Sequence, residues 1–480
     1  MRFAIIGAGM SGILAAIKLR EAGYDDFALY EKAARLGGTW RENTYPGIAC
    51  DVPSHLYSYS FEPNPEWSHH FSPGEEIYRY FEGVARKHGV ESRIRFGAEV
   101  VRCEWRGGRW QLETAHGLRD AVDVVIAATG VLHHPNVPDF PGAASFAGAL
   151  FHSARWDHSA RLDGARVGVI GTGSTATQIT SAVVPRAARY SLFQRTAQWI
   201  MPQANPAYTD EERAEFRRNP AGIAAMRAGM SQIFSDGFSS AVIDASSPQM
   251  TMIEETCRQN LESSVRDPLL REKLRPSYRA ACKRLVISPD FYQAIQQPNA
   301  ELVTSPIERI EPKGVRTADG RLHELDVLVL ATGFRADRFM RPTQVIGEGA
   351  LSLETAWVER PIAYLSISIP GFPNLFMLNG PNGPVGNFSL IEVAELQMGY
   401  VLKLVELLRD RRARAIAPSA SATAAFDEAR TVAAKNSIWS TGCKSWYLDQ
   451  RGIPASWPWT FDRFRGEMAQ PRLEAYVTAG

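Results

Sequence analysis

The chain has 480 residues, too many for one ordinary hydrophobic core, so two or three domains are expected. With 45% hydrophobic residues, 22% charged residues and a formal net charge of +1, it has the composition of a globular protein and no bulk signature of nucleic-acid or membrane-surface binding. A small or neutral partner is the better expectation. No apolar run reaches membrane-spanning length, no room for a signal peptide precedes the first motif, and the five cysteines (50, 103, 257, 282, 443) show neither CxxC nor metal-ligand spacing. These features predict a cytoplasmic protein with no membrane-spanning segment, no disulfide framework and no metal.

The first elements are a short apolar strand at Phe3–Ile6, the turn Gly7-Ala-Gly9-Met-Ser-Gly12, and a helix in which Ile13, Leu14, Ala16, Ile17 and Leu19 recur at helical spacing. Gly7 permits the tight turn, Gly9 lets backbone approach a pyrophosphate, and Gly12 lets helix pack on strand, leaving the anion at the helix N-terminus. The next strand, Phe27–Tyr30, ends in Glu31, about 20 residues past the glycines, where a carboxylate accepts hydrogen bonds from a ribose and repels a 2′-phosphate. This first site is therefore expected to take FAD or NAD rather than NADP.

The loop that follows, GGTWRENTYPGIACD at 37–51, is rich in Gly and Pro and ends in Asp51. Val124 to Gly130 is a buried-type strand closing on Ala-Thr-Gly, and Leu328 to Gly333 is a near copy of it. Between them a second strand-turn-helix unit begins: Arg166 to Ile170, then Gly171-Thr-Gly173-Ser174-Thr175-Ala176, then a helix from Thr177 to Val184. Its second strand, Tyr190 to Phe193, ends in Gln194-Arg195-Thr196, and a guanidinium at that place suits a 2′-phosphate. NADPH is the expected ligand there. Residues 204–282 break the α/β rhythm with helical stretches at 211–216 and 223–233, an insertion that is either a lid or substrate-side cap or plain packing bulk.

The expected architecture is α/β, with two Rossmann-like dinucleotide-binding domains, the second inserted in the first. FAD would occupy about 1–145 plus 334–480, NADPH about 150–330, and the helical insertion about 204–282.

Gly38-Thr39-Trp40, Tyr45-Pro46-Gly47 and Asp51, together with Phe146-Ala-Gly148-Ala-Leu-Phe-His152-Ser-Ala-Arg-Trp156-Asp157, resemble the Baeyer–Villiger monooxygenases within the flavin-containing monooxygenase superfamily. The second stretch matches that family's FxGxxxHxxxW[PD] pattern between the two glycine turns, and the resemblance extends over essentially the whole chain. It implies an FAD enzyme that consumes NADPH and O2 and inserts oxygen beside a ketone carbonyl through a flavin C4a-peroxide, giving an ester or lactone. Oxygenation of nitrogen or sulfur atoms is the alternative activity.

By the same resemblance Arg284, in Cys282-Lys283-Arg284-Leu285, is the catalytic cation that stabilises the peroxide and the adduct, and Asp51 fixes it. Lys283 joins Arg195 and Thr196 at the 2′-phosphate. Trp446, in Cys443-Lys-Ser-Trp-Tyr, folds over the nicotinamide, with Ser445 where the family has Asn. Gly38, Thr39 and Trp40 lie at the flavin, and the Tyr-Pro-Gly turn is expected to lay backbone along the flavin face. His152 is expected to set domain geometry rather than move a proton, and Trp156 to fill core. The partners implied are a ketone and O2, and the chain is expected to be a monomer or homodimer.

Overall fold

The computed structural model describes residues 1–479. Two five-stranded parallel sheets organise it. From edge to edge, the first runs Leu375–Met377, Val124–Ala127, Phe3–Ile6, Phe27–Tyr30 and Ile94–Arg95. Its central strands are apolar at every position because both faces are covered. Phe3, Ile5, Val124 and Ile126 meet the helices Met10–Glu21 and Leu390–Arg409, whereas the alternate side chains Ala4, Ile6, Val125 and Ala127 meet a core built around Trp110 and Trp357. That second core is roofed by Val100–Arg106, Arg109–Thr114 and Arg119–Val122, an antiparallel group whose Trp110 indole donates to Pro373 O at 2.7 Å.

The second sheet runs Ala300–Val303, Arg189–Phe193, Arg166–Ile170, Val327–Leu330 and Ala149–His152, again all parallel. Its helix Ser174–Val183 buries Ala176, Ile179 and Val183 against Val167, Val169, Val327 and Val329. The two sheets share one device. In each, the strand ending in Ala-Thr-Gly lies directly beside the strand that opens the glycine turn. A methyl on Gly7 would lie 2.5 Å from Ala128 O, and one on Gly171 would lie 2.2 Å from Ala331 O, so both first glycines are dictated by a neighbouring strand end.

The motif Phe146–Asp157 supplies the edge strand of the second sheet. Gly148 is required because a side chain there would meet Asp326 O at 2.2 Å. His152 uses both ring nitrogens: Nε2 donates to Gly333 O at 3.1 Å, and Nδ1 accepts from Ala154 N. Both contacts are to backbone. Trp156 packs edge-on against Phe151, beside the second sheet's core.

Between the paired short strands Ile200–Met201 and Val286–Ile287 lie the helices Asp210–Arg218, Pro220–Phe234, Pro248–Ser264 and Pro268–Leu274. Each start is written locally. Thr209 and Glu212 form a capping box, and Asn219, Ser247 and Asp267 each cap a helix whose first residue is proline. After Phe234 the backbone widens into a π-turn over Ser235–Ser239. Among the described residues no helix is long and apolar enough to cross a membrane.

One expectation is corrected. Cys282 and Cys443, 161 positions apart, form a disulfide, and Cys50, Cys103 and Cys257 stay free and buried. The odd, scattered set predicts no disulfide framework, but a pair this distant in sequence leaves no local spacing to read.

Candidate active site

A cavity of about 1330 Å³ lies between the two sheets. Gly7, Gly9, Glu31, Gly38, Thr39, Trp40 and Asp51 line it from the first unit. From the second unit and the C-terminal segment come Gly171, Gly173, Ser174, Thr175, Arg195, Thr196, Lys283, Arg284 and Trp446. Of the glycines expected at a pyrophosphate, Gly12 stands off the wall. A methyl on it would lie 2.0 Å from Gly7 O, so it serves the helix-to-turn contact instead.

On the first unit Gly9 and Gly38 face one another; a methyl on Gly38 would lie 3.0 Å from Gly9 Cα. The floor between them is bare backbone. Glu31, 5% exposed, accepts from Ala8 N at 2.9 Å and Arg41 Nη1 at 3.0 Å, which aims its carboxylate along the glycine turn. Trp40 donates to Tyr57 Oη at 3.2 Å, fixing the indole at the wall. Asn379, also on the wall, has a buried side-chain oxygen with no partner.

On the second unit Gly173 faces open space, with no atom within 4 Å of where a methyl would sit. The next residue, Ser174, has a buried hydroxyl without a partner at the start of a ten-residue helix. A bare turn, an orphaned hydroxyl and a helix N-terminus make an anion cradle. Arg195 is exposed at the strand end and makes no ion pair among the described residues. The Lys283 ammonium is pushed below its ordinary pKa, first by burial and then by the charge of Arg195. Two unneutralised cations that repel each other are suited to a doubly charged anion. Both units therefore fit a dinucleotide.

Arg284 and Asp51 meet between the units, with Nη2 donating to Oδ2 at 2.5 Å across 233 positions of sequence. The carboxylate raises the guanidinium pKa further above its ordinary value, overcoming the opposing effect of burial. The contact is single rather than bidentate. Arg284 stands ahead of Val286–Ile287, which is paired with Ile200–Met201. Asp51 ends the loop from the first unit, and that loop is anchored on the second unit's helix: Tyr45 Oη donates to Gln178 Oε1 at 2.9 Å and Gln178 Nε2 to Ala49 O at 3.0 Å.

Gly47 corrects the expectation for the Tyr-Pro-Gly turn. A methyl on it would lie 2.6 Å from Gln178 O, so this glycine allows close approach to the second unit's helix rather than to a ligand face. No local pattern marks Gln178. Tyr447, which closes the Cys443-Lys-Ser-Trp-Tyr stretch and has no role assigned from sequence, is buried beside Arg284 with its ring tilted by 36° against Trp446, centroids 4.2 Å apart. The helical region contributes Phe234, Phe238, Gln249, Met252 and Ile253 to the same wall. The expectation of an insertion gave no residues there, because mixed helical sequence does not disclose which side faces a cavity.

A family model described as flavin-binding monooxygenase-like matches residues 1–210. The chain is 45% identical to an uncharacterized monooxygenase of Mycobacterium tuberculosis over 98% of this chain and 95% of that one. It is 39% identical to a Baeyer–Villiger monooxygenase of Streptomyces coelicolor over 99% of this chain and 92% of that one. The crystal structure of cyclohexanone monooxygenase from Rhodococcus sp. Phi1 bound to NADP+ has the same fold, with a TM-score of 0.89 at 28% identity over 100% of this chain and 99% of that one. A glycine turn on each sheet, a shared cavity and full-length identity to a named relative lead to one assignment: the chain belongs to the Baeyer–Villiger monooxygenases, within the flavin-binding monooxygenases.

Proposed function

We propose that the protein uses FAD, NADPH and O2 to insert one oxygen atom beside the carbonyl of a ketone, giving an ester or lactone. The observation that carries this reading is the Asp51–Arg284 pair in the wall between the two glycine turns. When bound and reduced, the flavin supplies the electron pair that activates dioxygen.

In this reading the residues 1–145 and 334–480 hold FAD and 150–330 hold NADPH. Gly7, Gly9 and Gly38 admit the first pyrophosphate along bare backbone, and Glu31 accepts from its ribose hydroxyls. Gly171, Gly173, Ser174 and Thr175 hold the second pyrophosphate. Arg195, Thr196 and Lys283 hold the 2′-phosphate, and Trp446 covers the nicotinamide.

Arg284 then provides a fixed positive charge where negative charge develops on the attacking oxygen and on the ketone's carbonyl oxygen. A guanidinium does this without risk of deprotonation. Preorganised charge in a water-poor site is often the largest catalytic contribution. Asp51 prevents the side chain from wandering, and because the contact is single it leaves other guanidinium donors for the reacting groups. Phe234, Phe238 and Met252 give the cavity an apolar side suited to a hydrocarbon-rich ketone. Oxygenation of a thioether or amine needs no such cation, which is why the pair favours carbonyl chemistry.

The test is turnover of purified holoenzyme with NADPH on parallel panels of ketones and thioethers, with products identified by mass. Ester or lactone carrying one atom of labelled O2 is the expected result. Sulfoxide without any ester, at normal NADPH consumption, would overturn the assignment and leave heteroatom oxygenation.

A further inference from the structure

The cross-link between Cys282 and Cys443 lies immediately before two stretches of the cavity wall. Lys283 and Arg284 follow one sulfur, and Lys444, Ser445 and Trp446 follow the other; all five line the cavity. Each cysteine is also preceded by a left-handed residue, Ala281 at φ 61° and Gly442 at φ 100°. An alanine holds that conformation only where its surroundings compel it.

Residues 442–444 make no hydrogen bond among the described residues, so at this point the chain is fastened by sulfur rather than by backbone. Beyond them Tyr447 is gripped on several sides. Its ring lies 4.2 Å from Trp446 and 5.4 Å from Trp439, its hydroxyl occupies the space a Gly386 side chain would need, and it adjoins Arg284. Both sulfurs sit in one buried cluster with Cys257, Ala281, Trp439 and Tyr447.

We infer that the Cys282–Cys443 disulfide is a positioning device of the oxygenation site, one that holds the Lys444–Tyr447 segment against the Arg284 segment, so that cofactor retention and productive coupling depend on the oxidation state of this pair. The inference rests on the proposed roles of Arg284 and Trp446. A dithiol opens the bridge by breaking the S–S bond and delivering two electrons and two protons; two cysteine thiols form and the dithiol becomes a cyclic disulfide. Opening removes the only tie at residues 442–444. Trp446 is then held by packing on Tyr447, which keeps its bond from Ala455 N, and the wall over the nicotinamide side loosens from residue 446 back to 442.

The experiment uses full-length holoenzyme purified without reductant. Thiol titration after denaturation is expected to count three of the five cysteines, rising to five after dithiothreitol. The reduced enzyme and the Cys282→Ala/Cys443→Ala double variant are expected to show the same change. The KM for NADPH rises about tenfold, the scale of losing one or two ordered contacts, and more hydrogen peroxide is released per NADPH. Flavin reduction at saturating NADPH stays within about twofold. Removing dithiothreitol in air restores the starting values.

Five thiols in the unreduced protein would overturn the inference. So would a cross-linked protein whose reduction lowers only its melting temperature, the signature of a merely stabilising bridge. Reduction of the unmutated enzyme keeps the test decisive if the double variant fails to fold. Thiol count, NADPH KM and peroxide release need no ester, so failure of the oxygenation reading would be seen separately.

Discussion

Arg284 differs from the many other arginines in what surrounds it. Most guanidiniums of this chain pair with carboxylates near the surface, for example Arg217 with Glu66 and Arg279 with Glu254, where such contacts contribute little. Arg284 instead reaches across the cavity between two folding units, and Asp51 deepens its preference for the charged state. Stability gives little reason for such a half-buried pair, since exposed ion pairs contribute little and buried ones are often no better than apolar packing. A positive field held in one place is the better reason. Arg284→Ala is therefore expected to leave NADPH-driven bleaching of the flavin nearly unchanged in stopped-flow absorbance, while ester formation falls by about 10² to 10³ or more, as for the loss of an oxyanion donor. A variant that still makes ester at the original rate would remove Arg284 from the mechanism.

The glycine turns show how an element, rather than a residue, writes a site. In the first turn Gly7 and Gly12 are crowded by protein, and in the second Gly171 is crowded while Ala176 tolerates its methyl in full burial. Gly173 alone faces nothing. Its methyl could meet only a ligand, so Gly173→Ala is expected to fold and melt as the parent does while weakening NADPH by about 1–3 kcal/mol, the cost of overfilling a packed site, or roughly ten- to a hundredfold in KM. An unchanged KM would mean that no pyrophosphate lies against this turn. These turns were legible from sequence because strand, glycines and helix are contiguous, and their two Ala-Thr-Gly partners were legible as repeats. The Asp51–Arg284 pair was not legible from spacing. It came only through resemblance to a family, because a separation of 233 positions carries no signal of contact. Gly47 was misread for the same reason: its φ of +82° fits any turn, and only the fold reveals Gln178 beside it. The Cys282–Cys443 link likewise depends on how two distant segments cross.

At the scale of the whole molecule, the helical region is docked onto the first unit through an aromatic seam that depends on protonation. The segment 206–208 bonds to residues 68–70, with His70 N donating to Pro206 O at 3.1 Å and Tyr208 N to Ser68 O at 2.8 Å. Beneath it His55 is 1% exposed, between the rings of Tyr208 at 5.4 Å and Phe216 at 4.7 Å, and neither of its nitrogens has a partner. Burial, aided by the nearby His70, pushes the imidazole down from 6.5 to about 4. Because the folded value is depressed, the neutral form is the one the fold accepts. Its contribution is complete above pH 6.5 and is lost as pH falls toward 4, since below 6.5 the unfolded chain takes up a proton that the folded chain refuses. At about 1.4 kcal/mol per pH unit the loss is on the order of 3 kcal/mol. His133, also pushed to about 4 by burial, adds a parallel loss from the cavity wall. Melting curves of the holoenzyme from pH 7 to pH 4 are thus expected to fall by several degrees. His55→Phe, which keeps an aromatic ring between Tyr208 and Phe216, should remove part of that fall and leave the shares of His133, His134 and His152. Parallel curves for parent and variant would show that His55 is free to take its proton in the folded state, and that the seam between the helical region and the first unit opens to water without unfolding.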